Sequence, residues 1–298
     1  MLIDSPALDL VFKGFKAVYT DAYLAAPTHK DKIAMTVPSS GRDETYGWLG
    51  QFPQLREWVG PRHVHSLKAH KFTILNRKFE STVAIQRDDI SDDKLGVFKP
   101  AFSEMGHLAR NHPEELVFGR LASGFTTPCF DGQNYFDTDH LQLDATGQEI
   151  SVSNYQVGAE PAWYLLDTSR GVKPLVWQER EAYDFTSITR SDDPYVFMND
   201  EYLYGVRARV NAGFGLWQLA YASKATLDQS SYAAARAAMM NFRAENGRVL
   251  GINPTTLVVP PDLEDSALRV LNTEYGSGGA SNPWKGTADL VVTPFVAG

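Results

Sequence analysis

An α+β fold, with helices and strands segregated along the chain, is predicted by three observations. Two stretches place apolar residues three and four apart, the mark of an amphipathic helix. Two other stretches alternate apolar and polar residues or cluster β-branched and aromatic ones, the mark of strands. Helix and strand patterns follow one another in blocks rather than as βαβ units, and no internal repeat is present.

The first block spans residues 7–26. Leu8, Val11, Phe12, Phe15, Val18, Tyr19 and Tyr23 line one face of a helix that Pro27 stops. Ser39-Ser40-Gly41 then breaks the chain, so the helix reads either as an apolar element on a tether or as one packed on its own domain. From Tyr46 to Ile90 the composition shifts to Trp48, Trp58, Val59, Val64, Phe72, Ile74, Phe79, Val83 and Ile85, punctuated by Gly47, Gly50, Pro53, Gly60 and Pro61. This is β-hairpin material, and the alternation over residues 71–76 and 81–86 gives each strand one wet face.

The anionic run Asp88-Asp89-Ile90-Ser91-Asp92-Asp93 supplies N-cap candidates for the longest helical pattern. That pattern runs from Leu95 through Phe98, Phe102, Met105 and Ala109 to His112, where Pro113 either ends the helix or opens another. Beyond residue 124 strands dominate, at 163–166, 175–178, 202–210 and 216–221. A helix from Ser231, with Gly247 as its C′ residue, interrupts them. A strand at 257–259, a helix at 263–271 and a strand at 290–292 close the chain.

Composition excludes several function classes. The 298 residues carry 28 Lys+Arg against 36 Asp+Glu, a formal net charge of −8, with no basic run of five or more. A general polyanion-binding surface needs clustered cations and is not expected. The single cysteine, Cys129, excludes an internal disulfide and a Cys-rich zinc site, and favours a reducing compartment. No apolar run is long enough to span a bilayer, and the acidic residues Asp4 and Asp9 are unlike a signal peptide.

Four constellations invite a chemical reading. Asp131, Asn134, Asp137, Asp139 and His140 lie within ten residues and could hold a divalent cation or exchange protons, with a hydrolase built on Asp137, Asp139 and His140 as the sharpest form. The cluster lacks the glycine and glutamate of an EF-hand loop, so Asx-turns in a loop are the competing reading. His63 and His65 are two apart and could share one strand face for a metal, but a third ligand is not evident and an exposed loop pair is the competing reading. Cys129 with His140 is the sole Cys nucleophile option, against a packed core thiol. Gly276-Ser277-Gly278-Gly279 lacks the Lys-Ser/Thr of a phosphate loop. No catalytic residue, cofactor or metal ligand is therefore assigned.

Specific runs carry a resemblance. Tyr46-Gly47-Trp48-Leu49-Gly50, Pro53, Leu55-Arg56-Glu57-Trp58 and Gly60 resemble the Mu-like phage major head subunit family. So do Phe79-Glu80, Arg87-Asp88-Asp89-Ile90, Asp92-Asp93 and the run from Gly124 to His140. Gly251-Ile252-Asn253-Pro254, Leu257 to Pro261 and Asn282-Pro283-Trp284-Lys285-Gly286 extend it to the C-terminal half, in family order. The resemblance is least distinct over residues 141–220.

It implies a Hong Kong-97-type capsid fold: an N-terminal arm (1–45), an extended hairpin loop (46–87), a spine helix region (88–123), and peripheral and axial domains (124–298). The implied function is a major capsid protein that self-assembles through hexamers and pentamers around packaged double-stranded DNA. Scaffold, portal and decoration proteins are the implied partners, with assembly in the bacterial cytoplasm and residence in the virion. A cargo-enclosing nanocompartment with the same fold is the alternative, and the metal-dependent hydrolase a further one. Phe12 and Phe15 of the arm, and Trp48, Leu55 and Trp58 of the loop, are the candidate intersubunit contacts, because aromatic anchors dominate interface energies.

Overall fold

The computed structural model describes residues 4–49, 72–144, 146–244, 247–275 and 279–297. The first helix, α1 (Ser5–Ala25), starts where the Asp4 carboxylate accepts the Ala7 N–H and Pro6 occupies the first turn; it ends where Ala26 turns extended ahead of Pro27. A single turn, α2 (Lys30–Ile33), leads into β1 (Ala34–Pro38), and then come β2 (Asp43–Thr45), β3 (Thr73–Leu75) and β4 (Arg77–Gln86). The short α3 (Arg87–Ser91) precedes the long α4 (Leu95–Ala122). After the loop to residue 139 come β5 (His140–Leu143), β6 (Glu149–Val152), β7 (Tyr155–Gln156), β8 (Trp163–Leu166) and β9 (Leu175–Ile188). The chain continues through α5 (Pro194–Asn199), β10 (Glu201–Phe214), β11 (Ala220–Ser223), α6 (Gln229–Met240), β12 (Thr256–Val259), α7 (Glu264–Leu271) and β13 (Asp289–Val292).

Two sheets organise these elements. One has the order β1-β9-β10-β4, with β1 parallel to β9 and the other pairs antiparallel. The second has the order β13-β12-β8-β11-β7, and β8, β11 and β12 are buried at every position, as expected of strands covered on both faces. Two apolar cores result. The larger gathers the second sheet with Val117, Phe118 and Leu121 of α4; the smaller joins Leu8, Val11, Phe15 and Tyr19 of α1 to Phe102, Met105 and Ala109 of α4 and to Phe185 and Tyr204 of the first sheet. At 28 residues, α4 is about 42 Å long and spans both.

Several expectations are corrected. Pro113 does not end the helix: α4 runs on to Ala122. An internal proline costs about 3 kcal/mol, and the burial of Val117, Phe118 and Leu121 beyond it offsets that cost. The anionic run does not cap α4. Asp88 and Asp89 lie in the first turn of α3, while Asp89 and Asp92 bind the Lys94 ammonium at 2.9 and 3.6 Å. The run at 216–221 is only half strand, because Trp217–Leu219 forms a 3-10 turn before β11. Helix α6 begins earlier than Ser231: Asp228 is its N-cap and Ser231 closes a capping box with it. Gly247 is not its C′ residue, for α6 ends at Met240 and Gly247, with φ +75°, turns the chain between the bridged residues Arg243 and Val249.

The N-terminal helix is docked, not free. The Phe15 ring lies 4.2 Å from that of Phe102 and 5.3 Å from that of Tyr204. At Gly106 of α4 a Cβ would sit 2.3 Å from the Tyr19 carbonyl oxygen, so the two helices approach to a distance only glycine permits. The segment after α1 is tied to the same helix, where the Glu114 carboxylate, 5% exposed, accepts the His29 and Lys30 N–H groups at 2.9 and 2.6 Å. Strand β4 pairs with β10 along its whole length, from Arg77↔Val210 to Gln86↔Glu201, and β3 pairs with β2, so neither pairs with the other.

Candidate functional site

The polar loop before β5 is held from inside. Pro128 and Asn134 bridge, Gly132 takes φ +90° at the turn, and the Cys129 N–H donates to the Gln133 carbonyl at 2.8 Å. Tyr135 and Phe136 point into the larger core, where the Tyr135 hydroxyl donates to the Pro174 carbonyl at 2.7 Å. Asn154, fully buried, clamps the loop by donating to the Tyr135 carbonyl and accepting the Asp137 N–H.

Within this frame the titratable residues sort into two groups. Asp137 and Asp139 serve the loop's own turns: Asp137 accepts the Asn134 and Thr138 N–H groups, and Asp139 is raised above the ordinary carboxyl range by its hydrogen bond with Asp137. They do not take the imidazole. His140 Nδ1 donates instead to Asp131 at 2.8 Å, and the Cys129 thiol donates to the other Asp131 oxygen at 3.1 Å. Burial and the nearby Asp131 carboxylate push the Cys129 thiol far above its ordinary range, so it is no nucleophile. Burial alone would raise the Asp131 carboxyl, but the bonds from His140, Cys129 and the Gln133 N–H bring it below its usual range. The His140 ring stacks on Trp217 at 4.0 Å and 9°, a contact no local sequence signal announces. The grouping of Asp137, Asp139 and His140 that the hydrolase alternative requires is thus not assembled.

The candidate contact residues divide as well. Phe15 is 2% exposed and is committed to its own subunit, while the partly buried Phe12 stacks on Phe185 at 5.7 Å. Trp48 is partly buried against the larger core, and its neighbour Tyr46 donates its hydroxyl to Gln178 at 2.8 Å. Leu55, Trp58, His63 and His65 lie outside the described residues. Exposed apolar side chains that sequence reasoning missed are Leu10 and Leu24 on α1, and Phe197 and Met198 on α5, the last two 79% and 78% exposed.

A family model described as the Mu-like prophage major head subunit gpT matches residues 8–296. The chain belongs to that family. It is 42% identical over 306 residues to the major capsid protein of Escherichia phage Mu, covering 99% of this chain and all of that one. Among solved structures, the procapsid protein of bacteriophage JBD30 superposes with a TM-score of 0.87 at 45% identity, covering 98% of this chain and 100% of that one. A JBD30 capsid decorated with minor capsid protein trimers superposes with a TM-score of 0.77 at 30% identity, covering 93% of each chain.

The fold is therefore of the Hong Kong-97 type, and the chain is a major capsid subunit of the Mu-like kind. It assembles with copies of itself into a shell and resides in the virion. It is a structural protein and not an enzyme, which sets the hydrolase reading aside.

Proposed function

We propose that this subunit builds an icosahedral head from hexamers and pentamers, enclosing double-stranded DNA without reading its sequence. The likeness to the JBD30 procapsid protein along nearly the whole chain carries the reading. The net charge of −8 accords with a wall that releases rather than grips a packaged duplex. By extension from the decorated JBD30 capsid, the assembled shell takes a decoration protein, and scaffold and portal proteins join during assembly in the host cytoplasm.

The proposed division is an arm over 1–45, an extended loop over 46–87, a spine over 88–123, and peripheral and axial domains beyond. Pairing of β4 with β10 roots the loop's C-terminal limb in the body, and the 28-residue α4 suits the spine. Phe12, Trp48, Leu55 and Trp58 are proposed to meet a neighbouring subunit, whereas Phe15 acts indirectly by holding α1 in place. Replacing Trp58 by Ala tests this, since a buried interfacial Trp contributes about 2 kcal/mol or more. The expected result is a soluble, folded subunit that yields no closed shells by electron microscopy and light scattering. Wild-type shell yield from W58A would remove Trp58 from the interface.

A further inference from the structure

We propose that Cys129, Asp131 and His140 bind one divalent cation of the zinc type, with water completing the coordination. One ligand atom from each of the three lies within 4.8 Å of the others. Tetrahedral zinc, with bonds of about 2.0–2.3 Å, sets its ligands about 3.3–3.8 Å apart, so small side-chain rotations close the site. The donor set is selective: thiolate and imidazole favour zinc over magnesium or calcium, which take oxygen. Charge balances too, for a thiolate, a carboxylate and a neutral imidazole neutralise a 2+ ion in a buried place.

Exposure and orientation support the assignment independently. Cys129 and His140 are 5% and 0% exposed, whereas the Asp131 side chain is 23% exposed, leaving one open side for entry and for water. Stacking on Trp217 fixes the imidazole plane with Nδ1 toward the cluster. Binding replaces the thiol proton: the Cys129 S–H bond breaks, a sulfur–metal bond forms and one proton leaves to solvent.

The test uses the purified full chain, stripped with a chelator, both as free subunit and as assembled shell, and titrates Co2+ alone and Zn2+ alone. The expected result is one equivalent per chain, with a sulfur-to-cobalt charge-transfer band that zinc abolishes. Affinity should rise with pH as the displaced thiol proton becomes easier to lose. Cys129→Ser keeps a hydroxyl for Asp131 and should lose the band and more than about 100-fold in affinity, beyond the roughly 10–100-fold that outer-shell changes cost. Absence of the band in the wild type overturns the proposal without recourse to any variant. Zinc uptake that is equal in C129S and wild type overturns it too, as adventitious surface binding.

Discussion

Gly106 and Gly119 stand on the same helix, and replacing each by Ala should move stability in opposite directions. A methyl at Gly119 has nothing within 4 Å, so the change brings only the helix preference for Ala over Gly, about 1 kcal/mol of stabilisation. At Gly106 the same methyl meets the Tyr19 carbonyl oxygen at 2.3 Å and the Ala22 Cβ at 3.0 Å. An ordinary contact needs about 3.2 Å, so α1 must back away by nearly an ångström, and the obstacle is backbone, which cannot rotate aside. Overpacking of that kind costs about 3 kcal/mol, and the helix preference returns about 1, leaving a net loss of about 2 kcal/mol. The two variants should differ by about 3 kcal/mol. Urea unfolding of the unassembled subunit measures the gap, and amide exchange shows where it falls: G106A should lose protection in residues 5–25, and G119A should not. Equal stabilisation by both changes would refute the docking of α1 on α4 described above.

Two further outcomes are expected. The Glu44 carboxyl is held below its ordinary range by the Ser40 and Gly41 N–H groups and then the Ser39 hydroxyl; this stability is full above its unfolded pKa and is lost as pH falls through the lower folded value. E44Q should therefore show a smaller fall in urea midpoint than wild type between pH 7 and pH 3, and an identical fall would deny the carboxylate that role. Asp228→Ala removes the cap of α6, and thermal unfolding should show a loss of about 1 kcal/mol, against no change if the capping box is idle.

What the sequence makes legible is whatever depends on near neighbours. The faces of α1 and α4 follow from spacing, and Leu8, Val11, Phe15, Phe102 and Met105 are buried where that spacing puts them. Pro113 misleads because the local rule is right about cost and silent about the core that repays it. Strands β9 and β10 run beyond the segments read as strand, since Glu179 to Ile188 is stabilised by pairing with distant partners rather than by its own composition. At the polar loop Cys129, Asp131 and His140 are all visible in sequence, yet their grouping is not. The bond from His140 to Asp131 rather than to its neighbours Asp137 and Asp139, and the stack on Trp217, exist only after tertiary packing. The family runs made the shell function legible where no periodicity could.

The order of the first sheet also sets a timetable. Among the described residues, strand β4, residues 77–86, pairs with residues 201–210 of β10, and β1 pairs with β9, partners made more than a hundred residues later. At synthesis rates of about 5–20 residues per second, the wait is on the order of ten seconds. During it Phe79, Val83 and Ile85 of β4 await their β10 partners. The nascent subunit is thus open to capture by chaperones, or to faulty pairing with another growing chain, in that interval. Head yield in the cell is accordingly expected to respond to elongation rate as well as to the finished interfaces.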